Sequence, residues 1–349
     1  MKKCLCILLG LICLLTGCKS SPATEPPGTT ATTPVTVPPT VPETTAPPEP
    51  AGPQQMHTVY LWTEKLVTDN KSEGGVYSRS YDKQGNMLTN NYSSNDGNTA
   101  YNEAYSYDAA GRMLTCDTYD NYGATGHTEF TYNADGKLVT EVFTNNEGYF
   151  AQTDYSYGQY GHLVKKVTTQ HKREDTTLYT YNELGHLVKE EQTYCTDNKI
   201  TQALLLEYTY DQRGNMATKR ESRMGALYLT EEWIYDDFGN LLVHKVFDKD
   251  GNGVDAMEYV YDSAGRLEEE TYYREDTAEE ASYYLYDEAG RVTKKATGTP
   301  YEKFISVREM ILYTYDENGN LLTEVTAKKD GTEISRREYT YISVEVPVK

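Results

Sequence analysis

The chain has 349 residues, with 33 Lys+Arg against 53 Asp+Glu and a formal charge of −20. So acidic a chain without a basic block is a poor ligand for nucleic acid, because counterion release needs clustered cations. Six Cys exclude a disulfide-dense miniprotein, and 33 Tyr against 6 Phe and 2 Trp is the anomaly to be explained.

The N-terminus reads as an address. Lys2 and Lys3 precede an apolar run, Cys4 to Leu15, too short to span a bilayer. The run ends in Leu15-Thr16-Gly17-Cys18, which resembles the bacterial lipobox. The resemblance implies a signal peptide over 1–17 and acylation of Cys18, tying the mature chain to a membrane. Residues 18–55 then form a linker: positions 19–55 hold eleven of the thirteen Pro, interleaved with Thr. Proline removes donors and fixes φ, so an extended stalk is expected, open to O-glycosylation on its Thr.

Residues 56–349 form one β domain built from a repeat. The unit is Tyr, then Asp, Asn or Gly, two residues, Gly, a polar residue and an aliphatic. Lead tyrosines fall at Tyr81, Tyr107, Tyr132, Tyr157, Tyr181, Tyr210, Tyr235, Tyr261, Tyr286 and Tyr315, spaced 24 to 29 residues apart, and a half-unit opens at Tyr341. Such a period means a repeat array. Asp or Asn starts a turn by accepting from the backbone two residues on, and the Gly closes it at positive φ. Upstream residues alternate, as in Glu207-Tyr208-Thr209-Tyr210, which puts aromatics on one face and Glu and Thr on the other. An aromatic sits two before the lead Tyr in every unit but the first, which has Arg79. The expected fold is all-β, about ten antiparallel hairpins and about twenty strands, coiled by strand twist into a curved sheet, spiral or partial shell.

Tyr-Asp-x-x-Gly-Arg-Leu at Tyr261–Leu267, and its near copy at Tyr286–Val292, resemble the YD repeat of the Rhs and teneurin superfamily. The resemblance implies hairpins spiralling into a shell on secreted or surface-anchored proteins. Long members enclose a C-terminal toxin. This chain has far fewer repeats and no recognisable aspartate-rich self-cleavage core, so what carries over is the scaffold.

No catalytic residues are expected. The six His show no zincin spacing, and neither Gly-x-Ser-x-Gly nor a phosphate loop occurs. His162 and His186 stand where other units have Asn, Arg or Lys and read as exposed turn residues. Carboxylates are abundant, but they track the outward strand face and the turns, as a solvated face would. Cys116 and Cys195, about three repeats apart, should be unbridged thiols unless the sheet winds tightly. The loop at Asp248 resembles the first half of an EF-hand, with Asp248, Asp250 and Asn252 at positions one, three and five and Gly253 at six. Position twelve is Tyr259 rather than Glu, so a weak structural calcium site and a plain hairpin tip are both consistent. The repeated Tyr form either a ladder that stabilises the sheet or a platform for sugar rings. The two 29-residue intervals, holding 194–204 and 297–308, are where binding specificity would first be sought. Taken together, the expected protein is a non-enzymatic surface lipoprotein displaying a YD-repeat scaffold that binds extracellular glycan or protein. The alternatives are a small Rhs-type shell or companion of a toxin-delivery system, and an envelope carbohydrate-active enzyme.

Overall fold

The computed structural model describes residues 56–69, 74–301 and 304–347. The signal peptide, Cys18 and the linker to residue 55 therefore lie outside the described residues. The described chain is 22 antiparallel strands, β1 to β22, each paired with its neighbours in sequence. The first strand, β1 (Met56–Asp69), also pairs with the last, β22 (Glu333–Pro347), in a ladder running from Met56↔Pro347 to Asp69↔Ser335. The sheet therefore closes into a ring instead of remaining an open spiral or partial shell.

The closure follows from the repeat itself. Within each unit the lead Tyr pairs with the aliphatic six positions on, and the register then slips by one residue. Tyr315↔Leu321 followed by Thr314↔Thr323 is an example. The seam has the same register, Tyr341↔Trp62 followed by Thr340↔Glu64. The half-unit at Tyr341 is thus completed by β1, giving an eleventh unit divided between the two ends of the described chain. Eleven units rather than ten make 22 strands rather than about twenty.

Turn chemistry is uniform along one rim. At the turn after Tyr261, Asp262 N–H donates to Arg266 O (2.8 Å) and Gly265 N–H to Asp262 O (2.9 Å), with Gly265 at φ +76°. The Asp262 carboxylate accepts from Ala264 N and Arg266 N at 2.9 Å each, and from Arg266 Nε at 2.7 Å. This side-chain clamp fixes the turn from inside.

Adjacent units are joined differently. Between β3 (Met87–Ser94) and β4 (Ala100–Tyr107), pairing ends at Thr89↔Ala104, two residues short of Met87. Asn86 O points to its own hairpin partner, so by alternation Met87 O faces the next unit with no ladder partner. Tyr107 lays its ring across the gap and donates its hydroxyl to Met87 O at 2.7 Å. The arrangement recurs around the ring: Tyr132 to Met113 O, Tyr157 to Leu138 O, Tyr286 to Leu267 O (2.6 Å) and Tyr341 to Leu321 O. Tyr81 reaches Trp62 O across the seam at 2.9 Å. In the six units with Arg, Lys or His after the turn Gly, a forward contact answers the backward one, because that residue stacks on the next lead Tyr. Arg266 lies 4.6 Å from the Tyr286 centroid and Arg291 4.8 Å from that of Tyr315. His162 and His186 do the same on Tyr181 and Tyr210, each at 4.6 Å. They are therefore stacked links between units, not merely exposed turn residues. Close approach also constrains the Gly: a Cβ on Gly214 (φ +87°) would come 3.1 Å from His186 Cε1.

The two longer intervals prove to be taller hairpins. They are β11 (Leu187–Thr196) with β12 (Lys199–Tyr210), and β19 (Val292–Tyr301) with β20 (Phe304–Tyr315). The first turns tightly at Asp197 and Asn198, both at positive φ. No disulfide joins Cys116 and Cys195, as the sequence led one to expect. Buried apolar side chains among the described residues are few and small: Cys195, Leu206, Ala281 and Ala327. A ring of 22 strands is on the order of 100 Å around, and with so little dry core it encloses solvent rather than packed side chains.

Removing one hydroxyl tests the inter-unit bond. Tyr286→Phe should cost about 1–2 kcal/mol in urea unfolding, since it strands the Leu267 carbonyl. A loss under about 0.3 kcal/mol would mean the bond contributes nothing.

Candidate functional site

The ring offers three surfaces: an aromatic face, the opposite face and the turn rim. On the aromatic face, each aromatic two before the lead Tyr has a cross-strand partner. Around the ring these pairs read Phe130↔Glu141, Tyr155↔Lys166, Tyr179↔Glu190, Tyr208↔Lys219, Trp233↔His244, Tyr259↔Glu270, Tyr284↔Lys295 and Tyr313↔Glu324. Lys65↔Tyr339 continues the series across the seam. Acidic and basic groups thus largely alternate along a belt of aromatic rings, broken where His244 follows Lys219 and where Tyr105 faces Cys116. Single-unit reading could not show this, because the alternation appears only when hairpins are laid side by side.

The belt is internally bonded. Glu270 accepts from Lys295 Nζ (2.9 Å) and from the Tyr284 hydroxyl (2.7 Å). Glu231 receives Lys219 Nζ at 2.8 Å and the His244 ring at 2.8 Å, and Trp233 stacks on His244 at 4.7 Å and 7°. Tyr155 donates to Glu141 at 3.0 Å. Burial pushes the Glu270 carboxyl up, but the Lys295 ammonium and Tyr284 hydroxyl outweigh it and hold the group below the ordinary range. Lys295 is correspondingly raised against the pull of burial. Burial beside Glu190 lifts the Tyr208 hydroxyl to about 12. Carboxylates therefore do not keep to the outward face and turns. Glu141, Glu190, Glu270 and Glu324 share the aromatic face, where cations and hydroxyls from neighbouring strands compensate them.

The lead Tyr are not a free platform for sugar rings. The hydroxyls of Tyr81, Tyr107, Tyr132, Tyr157 and six others are bonded to backbone, and six of the rings are covered by Arg, Lys or His. They stabilise the sheet, the first of the two readings above. Arg79, which replaces the upstream aromatic in the first unit, stacks 3.7 Å from the Trp62 centroid and bonds Asn90 at 3.0 Å.

The opposite face is mixed, with exposed Ile234, Val260, Leu285 and Leu312 among hydroxyls and carboxylates. Beside the lead Tyr it carries Ser80, Ser106, Thr209 and Thr314, hydrogen-bonded across the hairpin to Thr89, Thr115, Thr218 and Thr323 at 2.6–2.7 Å. Two residues further up stand Glu129, Asp154, Glu207 and Glu258, all exposed.

The turn rim holds the three most exposed large apolar side chains among the described residues. Tyr160, Leu184 and Phe238 are 82%, 80% and 91% exposed at the same turn position of three units. Between them Arg213 reaches forward and donates to Asp236 O at 3.1 Å. Grooves open where units part at this rim. One of about 730 Å³ lies between Tyr160 and Leu184, lined by His162, Val164, Tyr179 and Tyr181.

Asp248, Asp250 and Asn252 lie together in a hairpin tip on the other rim. Asp248 accepts from Asp250 N and Asn252 N at 2.9 Å, and Asp250 pairs with Lys249 at 2.5 Å. This is the clamp of the other turns, so the hairpin chemistry accounts for all three residues. Among the described residues no cluster of three or more His, Cys, Asp or Glu is placed to hold a metal ion.

Residues 124–267 match the Teneurin YD-shell family, over six lead tyrosines of the ring. Over that span the hairpins are YD-shell repeats, as their residues suggested. No curated protein matches the chain. Among solved structures it is similar to TcdB2-TccC3 at 12% identity and TM-score 0.32, over 77% of this chain and 19% of that one. The Tc holotoxin pore of Photorhabdus luminescens matches at 12% and 0.31, over 79% and 18%. A porin-like protein from Bacteroides uniformis matches at 12% and 0.30, over 80% and 98%. The chain thus spans about a fifth of the length of the two toxin chains.

Acid should unfasten the ring. Hydrogen bonds from the residue four positions on hold Asp108, Asp211, Asp236, Asp262, Asp287 and Asp316 below the ordinary range. Folded values below the unfolded one mean the stabilisation is whole above about pH 4 and lost as pH falls through the folded values. The melting temperature should fall steeply between about pH 4 and pH 2. A midpoint that stays level to pH 2 would show the clamps contribute nothing.

Proposed function

We propose that this chain is a non-enzymatic lipoprotein of a bacterial envelope, anchored through acylated Cys18. It displays its YD-repeat ring on the Pro/Thr linker and binds extracellular glycan or protein at the turn rim. The observation that carries the reading is the run Tyr160, Leu184 and Phe238. At that position other units hold Gln84, Ala110, Asp135, Arg213, Ala264, Ala289 and Asn318, so the turn itself asks for no apolar group. Large apolar side chains left in water together, with an Arg among them, have the composition of a binding surface. The anchor rests on the charged start, the short apolar run and the cleavage signature ending at Cys18.

A second reading has its own support. Closure at the seam, with solvent rather than a core inside, suits a small shell that surrounds another molecule.

Cys18→Ala should move the protein from the membrane to the soluble fraction on ultracentrifugation; retention with membrane defeats the anchor. On a glycan array and in pull-downs with extracellular protein, replacing Tyr160, Leu184 and Phe238 together by Ala should reduce binding at least tenfold with melting unchanged. Binding that persists in that variant would point to the enclosed space instead, as the shell reading requires.

A further inference from the structure

One turn in the ring lacks its clamp. In the unit of Tyr157 the Asp or Asn position is Gly158. The backbone nonetheless folds as the others do: Gly158 N–H donates to His162 O at 2.9 Å and Gly161 N–H to Gly158 O at 2.8 Å, with Gly161 at φ +80°. In the unit of Asp211, the carboxylate accepts from Arg213 N at 2.8 Å and Asn215 N at 2.9 Å. The equivalent donors here are Tyr160 N and His162 N, and among the described residues neither has an acceptor. Where a carboxylate is present, its second oxygen takes a bond from the side chain four positions on, as Arg266 Nε gives Asp262. His162 occupies that place in this unit. The ring therefore defines, by its own repetition, where a carboxylate sits against these two N–H groups and this side chain. In this unit the chain does not provide one.

The surroundings suit an incoming anion. Lys137 of the preceding unit places its ammonium 2.8 Å from Gly161 O, beside the turn. A cavity of about 470 Å³ lies against Gly158–Gly161, lined by Asn133, Asp135, Lys137, Gln159, Tyr155 and Tyr157, with the one ammonium set against one carboxylate. The Tyr160 ring stands almost wholly exposed between this cavity and the groove on its other side. Hydrogen-bonding side chains beside an open aromatic ring match a pyranose, whose apolar face stacks while its hydroxyls bond. A ring of this net charge repels long polyanions, which favours a single acidic residue over a densely charged chain.

We propose that the Gly158 turn is a carboxylate-binding site that takes a uronic-acid residue of an extracellular glycan. The carboxylate completes the clamp through Tyr160 N, His162 N and the His162 side chain, and the sugar ring lies on Tyr160. The proposal rests on the glycan reading of the turn rim and names the chemistry of one of its sites.

The test uses the full chain, with titration calorimetry against methyl glucuronide, methyl glucoside and N-acetylglycine. Methyl glucuronide should bind at least tenfold more tightly than its neutral twin. Gly158→Asp supplies the missing carboxylate from within, so it should abolish that binding and raise the melting temperature. A Cβ at 158 would occupy the space beside the carboxylate carbon and come 3.0 Å from Val164 Cγ1, so Gly158→Ala supplies the same obstruction without the acceptor. Gly158→Ala should lose the binding too, with no gain in melting temperature. Unchanged affinity in either variant, or no rise in the melting temperature of Gly158→Asp over Gly158→Ala, overturns the site. N-acetylglycine binding more tightly than methyl glucuronide, and lost in Gly158→Asp, overturns the sugar assignment. Glycan-array binding that survives Gly158→Asp removes this site while leaving the wider glycan reading intact; no glycan binding by the native chain removes both.

Discussion

The bond from a lead tyrosine hydroxyl to a carbonyl of the preceding unit is the constraint on which the ring depends. Each hairpin is held by its own ladder and clamp, but successive hairpins part before they reach the turn rim. A carbonyl left there without a partner would carry a desolvation penalty. The phenol reaches across the gap, satisfies the carbonyl and covers the opening with its ring. Only Tyr does both, since Phe lacks the donor and Ser lacks the reach. The excess of Tyr over Phe follows from this geometry, multiplied around eleven junctions.

The same junction explains the residues that flank it. The position after the turn Gly holds Arg112, Lys137, His162, His186, Arg266 or Arg291 because a cation or a flat ring packs well on the next phenol. The belt above it links neighbours a second time, through charge. Both sets of links run around the ring rather than through its middle, which is why so few apolar side chains need burial. The modest apolar content is the mark of a hoop held at its joints, not of a weak core.

Much of this was legible in the sequence. The turn motif, the period-two alternation and the repeat gave hairpins, strand count to within one unit and the aromatic face. Closure was harder, though it left a trace. Leu321-Leu322-Thr323-Glu324-Val325 has its counterpart in Trp62-Thr63-Glu64-Lys65-Leu66, but with Trp for the aliphatic and Lys for Glu the match is faint. The alternating belt lay hidden because it depends on register between hairpins, which no single unit encodes. Gly158 was visible as a variant of the motif. Its meaning came only once the other turns showed what an Asp there does for two N–H groups.

Closure by the divided eleventh unit also bears on how the ring assembles. Every other strand meets its partner within a few tens of residues, so hairpins can form as the chain emerges. β1 alone must wait for β22, from the opposite end of the described chain, before its outer edge is covered. Loop-closure entropy for so distant a pairing makes it the slowest contact to form. Until then both terminal strands present open edges to any extended chain nearby. A ring of this kind is therefore most vulnerable to mispairing in the interval between the last hairpin and the seam, and least so once the seam has formed.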